Sequence, residues 1–349
     1  MTSLLAKLAT GSDLNSNDVA YAVTLLLSDR VPADEKAAFL TKLHEKGETA
    51  EEIAAFVDRL IERAIDPMID PEVLAGPMID VCGTGGAGLN IFNVSTTIMF
   101  ILAAAGVVVV KHGNRSVTSY CGSADVLEAL GLKLEWNPED LNECVKRLGL
   151  GFIYARHYHP AFRALADMRA QLARANQRTV FNLLGPLLNP ARPPRQLIGV
   201  YIPRLTTVFA EVLRRLGRER AWAVHGLVEN STGFDNVSTS GVTTLAELVD
   251  GRVTSAVLDC RWLGVPESSL DELRGGEAAE NAQTLTGILS GDVKGAKRDL
   301  ALVNAAAGFV VAGVVHDMGD GIALAREQID NGCALEKLRA FQSYSGPAA

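Results

Sequence analysis

At 349 residues the chain is long enough for two domains and a sizeable core. Hydrophobic residues make up 48% and charged residues 21%, the composition of an ordinary folded protein. A net charge of −8 and a pI of about 5.4 argue against a broad nucleic-acid footprint, which needs a basic face, but leave room for one basic pocket holding a small anion.

The first 65 residues read as helices. "NSNDVAYAVTLLLSD" carries apolar residues at helical spacing behind a Ser or Asn cap, and "ADEKAAFLTKLHEKGE" ends near Gly47. "TAEEIAAFVDRLIERAI" opens on a capping box, Thr49 followed three residues later by Glu52. A linker with Pro67, Pro71 and Pro77 follows. Beyond it the period changes. "MIDVCG", "GVVVVKHG", "LKLEW", "GFIYA", "QLIGVYI" and "RAWAVHG" are strand candidates. "GSADVLEALG", "PEDLNECVKRLG" and "LTTVFAEVLRRLG" are helices between them, and Ser123 is the expected cap of the first. The most apolar run, Ile98 to Val110, is too short to span a bilayer and changes from helix formers to valines around Gly106. It reads as a buried helix followed by a buried strand. "TTLAELVDGRVTSAVLD" suggests an antiparallel excursion, and two further segments close the chain as helices.

The expectation is an α/β fold: a small helical domain over 1–70, which the segment 160–178 is placed to join, and a larger α/β domain over 78–349 around a mainly parallel sheet. Five cysteines (Cys82, Cys121, Cys144, Cys260 and Cys333), with no CxxC spacing, read as reduced thiols rather than a disulfide framework or zinc site. The start lacks a signal-peptide layout. Both features point to the cytoplasm.

Two turns carry the chemistry. "GTGGAG" follows the first strand, where open parallel sheets bind ligands. Its glycines let backbone N–H groups approach an anion, and a helix starting near Asn93 to Ser95 aims free N–H groups at the same space. Ser95, Thr96 and Thr97 add hydroxyls. It is neither a P-loop nor a GxGxxG dinucleotide fingerprint. The second turn, "KHGNRSVTS", follows a strand of valines and brings Lys111, Arg115 and a row of donors. Two cations and a hydroxyl row at a second strand end suit a polyphosphate better than one phosphate.

"GTGG…NVST", "KHGNRSVTS…GSADVLEALG", "FNLLGPLLNPA" and "FDNVS", in this order, resemble the anthranilate phosphoribosyltransferase family over nearly the whole chain. The resemblance implies transfer of the 5-phosphoribosyl group of PRPP to the amino group of anthranilate, with Mg²⁺, in tryptophan biosynthesis. It places PRPP against Gly83, Gly86, Ala87, Asn93, Val94, Ser95 and Thr96 of the first turn. From the second turn it adds Lys111, Asn114, Arg115, Ser116, Ser119 and Ser123. Anthranilate would be bordered by Gly83, His112, Asn114 and Arg169, whose guanidinium suits a carboxylate. Metal would be held by Ser95, Asp235 and Asn236. No catalytic acid or base is implied, since an aromatic amine is already nucleophilic. A homodimer through the helical domain and no nucleic-acid or membrane partner complete the expectation.

The chain departs from the family pattern in three places. Ala87 stands where the family usually has Asp. Asp235-Asn236 replaces an Asp-Glu pair, and an amide is a poorer ligand than a carboxylate for a hard cation. Extra residues lie between Arg169 and Arg178 and before Asp235; Glu229, in the second insertion, is a candidate replacement ligand. These departures keep two alternatives in view: a phosphoribosyltransferase-like enzyme with another aromatic amine or base as acceptor, and a non-catalytic paralogue that binds a nucleotide or nucleic acid.

Overall fold

A computed structural model of the chain describes residues 1–85, 89–116, 120–175, 177–228 and 232–346. Four helices open it: α1 (Thr2–Ala9), α2 (Ser16–Leu26), α3 (Ala33–Lys46) and α4 (Ala50–Ile61). The first lies within the stretch read as helical, though no separate helix was assigned to it. The α4 box forms as its sequence requires, with Thr49 Oγ1 accepting from Glu52 N and Glu52 Oε2 accepting from Thr49 N. Glu52 is fully buried, and its other oxygen accepts from Leu14 N at 2.8 Å while Lys46 Nζ pairs with Oε2 at 2.9 Å. One carboxylate thus ties three segments of the bundle.

The chain then alternates. β1 (Met78–Gly83) leads to α5 (Val94–Ala104), and β2 (Val108–Gly113) to α6 (Ser123–Ala129) and α7 (Pro138–Leu148). After β3 (Leu150–Tyr154) come three short helices, α8 (Ala155–Tyr158), α9 (Ala166–Arg174) and α10 (Phe181–Leu184). β4 (Arg195–Gly199) and α11 (Leu205–Arg215) precede β5 (Arg220–Val228) and β6 (Thr232–Phe234). The hairpin β7 (Thr243–Val249) and β8 (Arg252–Leu258) follows, then α12 (Leu270–Leu273), α13 (Ala278–Leu289), α14 (Ala296–Ala312), α15 (Met318–Asp330) and α16 (Cys333–Ser345).

The strands form one sheet in the order β3-β2-β1-β4-β5-β7-β8, with β6 on β5. β1 to β5 are parallel and β6 to β8 antiparallel, as the excursion in the sequence suggested. Alternate residues serve two cores. Val81, Leu197 and Val224 face α5, α13 and α14, whereas Cys82, Ile198 and Ala223 face α11 and the opening bundle. Leu165, Met168 and Leu172 enter the same core as α1 to α4, so the chain around α9 packs on the bundle. Among the described residues no helix is long and apolar enough to cross a membrane.

Two local expectations are corrected. "LKLEW" is not a strand; its buried Leu134 and Trp136 lie in irregular chain, and the Trp136 ring stacks on Phe341 and Tyr344 of α16 at 6.2 and 5.6 Å. Ser123 is not the cap of α6 but its first residue; Gly122 is the cap.

Candidate active site

β1 connects to β2 on one side and β3 returns to β4 on the other, so β1 and β4 flank the point where the winding reverses, the usual ligand crevice of an open α/β sheet. A cleft of about 400 Å³ opens there. Gly83, which lines it, and Gly199 are register partners at the ends of β1 and β4. Both lack a side chain for one reason: a Cβ on Gly83 would collide with the carboxylate of Asp235, and one on Gly199 with its carbonyl oxygen. Asp235 therefore lies directly over the strand ends, and its Oδ2 accepts from Gly85 N at 2.8 Å. The loop after it is braced from α14, where Asn304 accepts from Val237 N and donates to Val237 O, both at 2.9 Å.

The two cations of the second turn line the cleft, each already engaged by protein partners. Lys111 is not a mobile charge. It is 1% exposed and donates to Val81 O and, at 3.1 Å, to Ser95 Oγ, which holds the serine hydroxyl at the cleft wall. Burial pushes its ammonium down from the usual range, and the nearby Asp80 carboxylate works against that shift. Asp80 is fully buried; its oxygens accept from His112 N (3.2 Å) and Asn189 Nδ2 (3.0 Å). Desolvation raises it to about 6 despite Lys111. Arg115 is half-exposed, and its guanidinium is engaged with Tyr154 Oη (3.1 Å) and Glu128 (2.6 Å) rather than spread open for a phosphate. The turn itself is closed by Asp125, whose Oδ2 accepts from Ser116 N and Gly122 N.

The first turn is braced by a segment that sequence reasoning passed over. Gly275 N donates to Asn90 O at 2.7 Å, and Asn281 Nδ2 donates to Asn93 Oδ1 at 3.0 Å. Asn93 Nδ2 in turn reaches Cys121 O at 3.2 Å, joining the two turns.

Opposite these turns lies an aromatic wall. The Arg169 guanidinium sits 5.3 Å from the Phe181 ring and 6.0 Å from that of Phe162, within cation–π reach. Surrounding protein pulls it down from its ordinary pKa, but the residue stays exposed to the open cleft, and among the described residues no carboxylate pairs with it. Phe162 stacks on His159 (5.2 Å), which stands edge-on to His112 (5.2 Å). His159 Nε2 faces Leu188 O at 2.8 Å, so the neutral ring carries its proton there. Burial lowers His159 to about 4 and His112 well below its ordinary value.

Most of the expected residues meet in this cleft. Gly83, Asn93, Val94 and Ser95 line it from the first turn. Lys111, His112, Asn114, Arg115, Ser116 and Ser123 line it from the second, and Arg169, Asp235 and Asn236 complete it. Thr96 is a correction: one residue further round α5, its side chain is fully buried in the core and does not line the cleft. His159 likewise lies behind the wall. Gly86, Ala87, Ser119 and Glu229 lie outside the described residues. Among the described residues there is no group of three or more His, Cys, Asp or Glu to cage a metal. Ser95, Asp235 and Asn236 are all oxygen donors, only one of them charged, which suits a hard cation that brings further oxygens on its ligand.

The helical bundle domain of a glycosyl transferase family matches residues 2–64 and the a/b domain of the same family residues 75–335. Anthranilate phosphoribosyltransferases from Anaeromyxobacter dehalogenans and Methanocorpusculum labreanum are each 43% identical, the first over 96% of both chains and the second over 98% of this chain and 97% of its own. The crystal structure of the enzyme from Thermus thermophilus matches at a TM-score of 0.88 with 37% identity, covering 98% of each chain. The Saccharomyces cerevisiae enzyme in complex with PRPP and Mg matches at 0.86 with 26% identity, over 99% of this chain and 97% of its own. With both parts of the family matched, the identity sustained along the whole chain and the fold shared, the chain belongs to the anthranilate phosphoribosyltransferases, which are glycosyltransferase-family enzymes.

Proposed function

We propose that the chain transfers the 5-phosphoribosyl group of PRPP to the amino nitrogen of anthranilate. The nitrogen–C1 bond of the ribose forms as the C1–oxygen bond to pyrophosphate breaks, and the amine loses its proton to solvent or to the departing pyrophosphate. The observation that carries this reading is Arg169, a guanidinium with no carboxylate partner among the described residues, seated on Phe162 and Phe181 across the cleft from two phosphate-type turns. A planar aromatic acid meets its carboxylate and its ring there at once.

The remaining residues serve position and charge. The free N–H groups at the start of α5 face the phosphates, Lys111 fixes Ser95, and Arg115 can exchange Glu128 for a phosphate oxygen. Holding the amine in line with C1 supplies much of the rate. His112 is neutral at working pH, and we assign it no proton transfer. Mg²⁺ would be held by Asp235, Asn236 and Ser95 together with pyrophosphate oxygens, and would neutralise charge building on the leaving group. We further propose a cytoplasmic homodimer, with residues 1–70 and 160–178 as its helical domain and no nucleic-acid partner; this rests on the family resemblance and the acidic net charge.

The test is an assay with PRPP, Mg²⁺ and anthranilate that follows loss of anthranilate fluorescence and release of pyrophosphate. Both signals are expected in equal amounts. Arg169→Ala should raise the anthranilate KM about 10- to 100-fold, the size of a lost charged hydrogen bond, and leave the PRPP KM in place. Pyrophosphate release without anthranilate loss would overturn the acceptor, and no binding of PRPP would overturn the donor.

A further inference from the structure

Asn93 occupies the N-cap of α5, and asparagine there normally turns its side-chain oxygen onto the N–H groups one turn ahead. Here it does not. Its backbone (φ −71°, ψ 71°) departs from the extended cap geometry, and its side chain makes no cap bond. The Oδ1 is held instead by Asn281 Nδ2 at 3.0 Å, and Nδ2 points to Cys121 O. Asn281 is itself fixed. It is 3% exposed, its Oδ1 accepts from Gly276 N at 2.9 Å, and its Nδ2 also donates to Gly276 O at 3.1 Å. Gly275 must be glycine for this to fit, since a Cβ would lie 2.6 Å from Asn281 Oδ1 and 2.8 Å from Phe92 N. The consequence lies at the helix start. Val94 N donates to Phe92 O and Thr97 N to Asn93 O, but the N–H groups of Ser95 and Thr96 have no hydrogen-bond partner among the described residues.

We infer that Asn281 is a positioning residue for phosphoribosyl transfer: it holds Asn93 off the end of α5 so that the Ser95 amide, at the cleft wall, stays available to the diphosphate of PRPP. The inference rests on PRPP being the donor. It assigns a role to Asn281 in the first turn of α13, and to Gly275 and Gly276 just before it, which no phosphate-type motif in the sequence marks. It also accounts for a part-buried amide pair that spans 188 residues of sequence at this spot. An uncapped helix end binds an anion through paired N–H groups and the helix dipole, and a self-supplied cap competes for the same groups.

The experiment uses the full chain. Asn281→Ala frees Asn93 to swing back as a cap. PRPP affinity measured by calorimetry with Mg²⁺ should then fall about tenfold, with the anthranilate KM unchanged. Amide hydrogen exchange at Ser95 and Thr96, measured without ligand, should slow relative to the parent chain. Removing the competing cap as well, in Asn93→Ala/Asn281→Ala, should bind PRPP more tightly than Asn281→Ala alone. A merely structural asparagine would weaken both substrates and gain nothing from the second substitution. If Asn281→Ala does not fold, Asn281→Ser, too short to reach Asn93, carries the same expectations. Unchanged PRPP affinity with unchanged exchange at Ser95 and Thr96, or a double variant no tighter than the single, overturns the inference. If the parent chain fails to bind PRPP, the proposed donor falls, and the exchange comparison still decides whether Asn281 controls the cap.

Discussion

His112, at the cleft, and His159, behind its aromatic wall, stand edge to face, both nearly fully buried, and their neutral state is a condition of the fold. His159 titrates near 4 instead of the ordinary 6.5, so protonating it in the folded chain costs more than in the unfolded one. The stability it contributes is complete above pH 6.5 and is lost as pH falls toward 4, by roughly 3 kcal/mol for that shift. His112, also depressed, acts in the same direction. Asp80 acts in the opposite sense: raised to about 6, it favours folding most when protonated, and its contribution fades as pH rises from about 4 to 6. Two histidines against one carboxylate leave a net loss on acidification. His159→Gln keeps a donor for Leu188 O and removes the titration. It should lose less stability between pH 7 and pH 5 than the parent chain, read as the shift in urea midpoint; equal losses in both chains would mean that His159 is not the titrating group. The histidines also show how the sequence can be read at this scale. Residues facing the ligand sit in motifs and were legible. The partners of those that act from behind were not: Asn189 lies inside the FNLLGPLLNPA segment but reaches Asp80 across 109 residues, and no local spacing encodes such a pair. Lys111 and Arg115 line the cleft as expected but their partners were not foreseen, because charge type does not reveal that a serine at the cleft wall or a nearby glutamate engages them first.

At the scale of elements, the acceptor arginine rides on a short helix whose footing lies in the other core. α9 is nine residues long, too short to hold itself in water, and Leu165, Met168 and Leu172 on and before it pack with the side chains of α1 to α4. Met168→Ala should therefore cost about 2–5 kcal/mol of stability as a large-to-small change in a core. It should also raise the anthranilate KM several-fold while sparing the PRPP KM, since the phosphate turns stand on β1 and β2. A parallel rise in both constants would show that α9 is not separately footed. The helices were legible because their period and caps are local, as at Thr49 and Glu52. "LKLEW" misled for a physical reason. Its alternation is real, because Leu132, Leu134 and Trp136 are all buried, but alternation reports half-burial and not a hydrogen-bonded neighbour. The Trp136 ring spends its face on α16, and among the described residues no strand runs beside it to complete a ladder.

For the whole molecule, the sheet order decides where binding energy is felt. Two cores lie on opposite faces of one sheet, and the cleft opens where the strand order reverses between them. Its walls come from both: α5 and the segment before α13 from one side, Phe162, Arg169 and Phe181 from the other. A ligand that spans the cleft therefore supports the global fold rather than one loop. PRPP with Mg²⁺ at a hundred times its dissociation constant should add about 2.7 kcal/mol to unfolding, seen as a rise of a few degrees in Tm. On the proposed reading the metal would enter this sum through PRPP, because Ser95, Asp235 and Asn236 offer a single carboxylate among them. Mg²⁺ alone should accordingly leave Tm almost unmoved, and chelating it from the PRPP-bound chain should remove most of the shift. A substantial rise with Mg²⁺ alone would mean that the protein itself forms a complete cation site. A PRPP shift that survives chelation would mean that the amides and cations hold the diphosphate without a metal, and that Asp235 serves only to hold Gly85 in place.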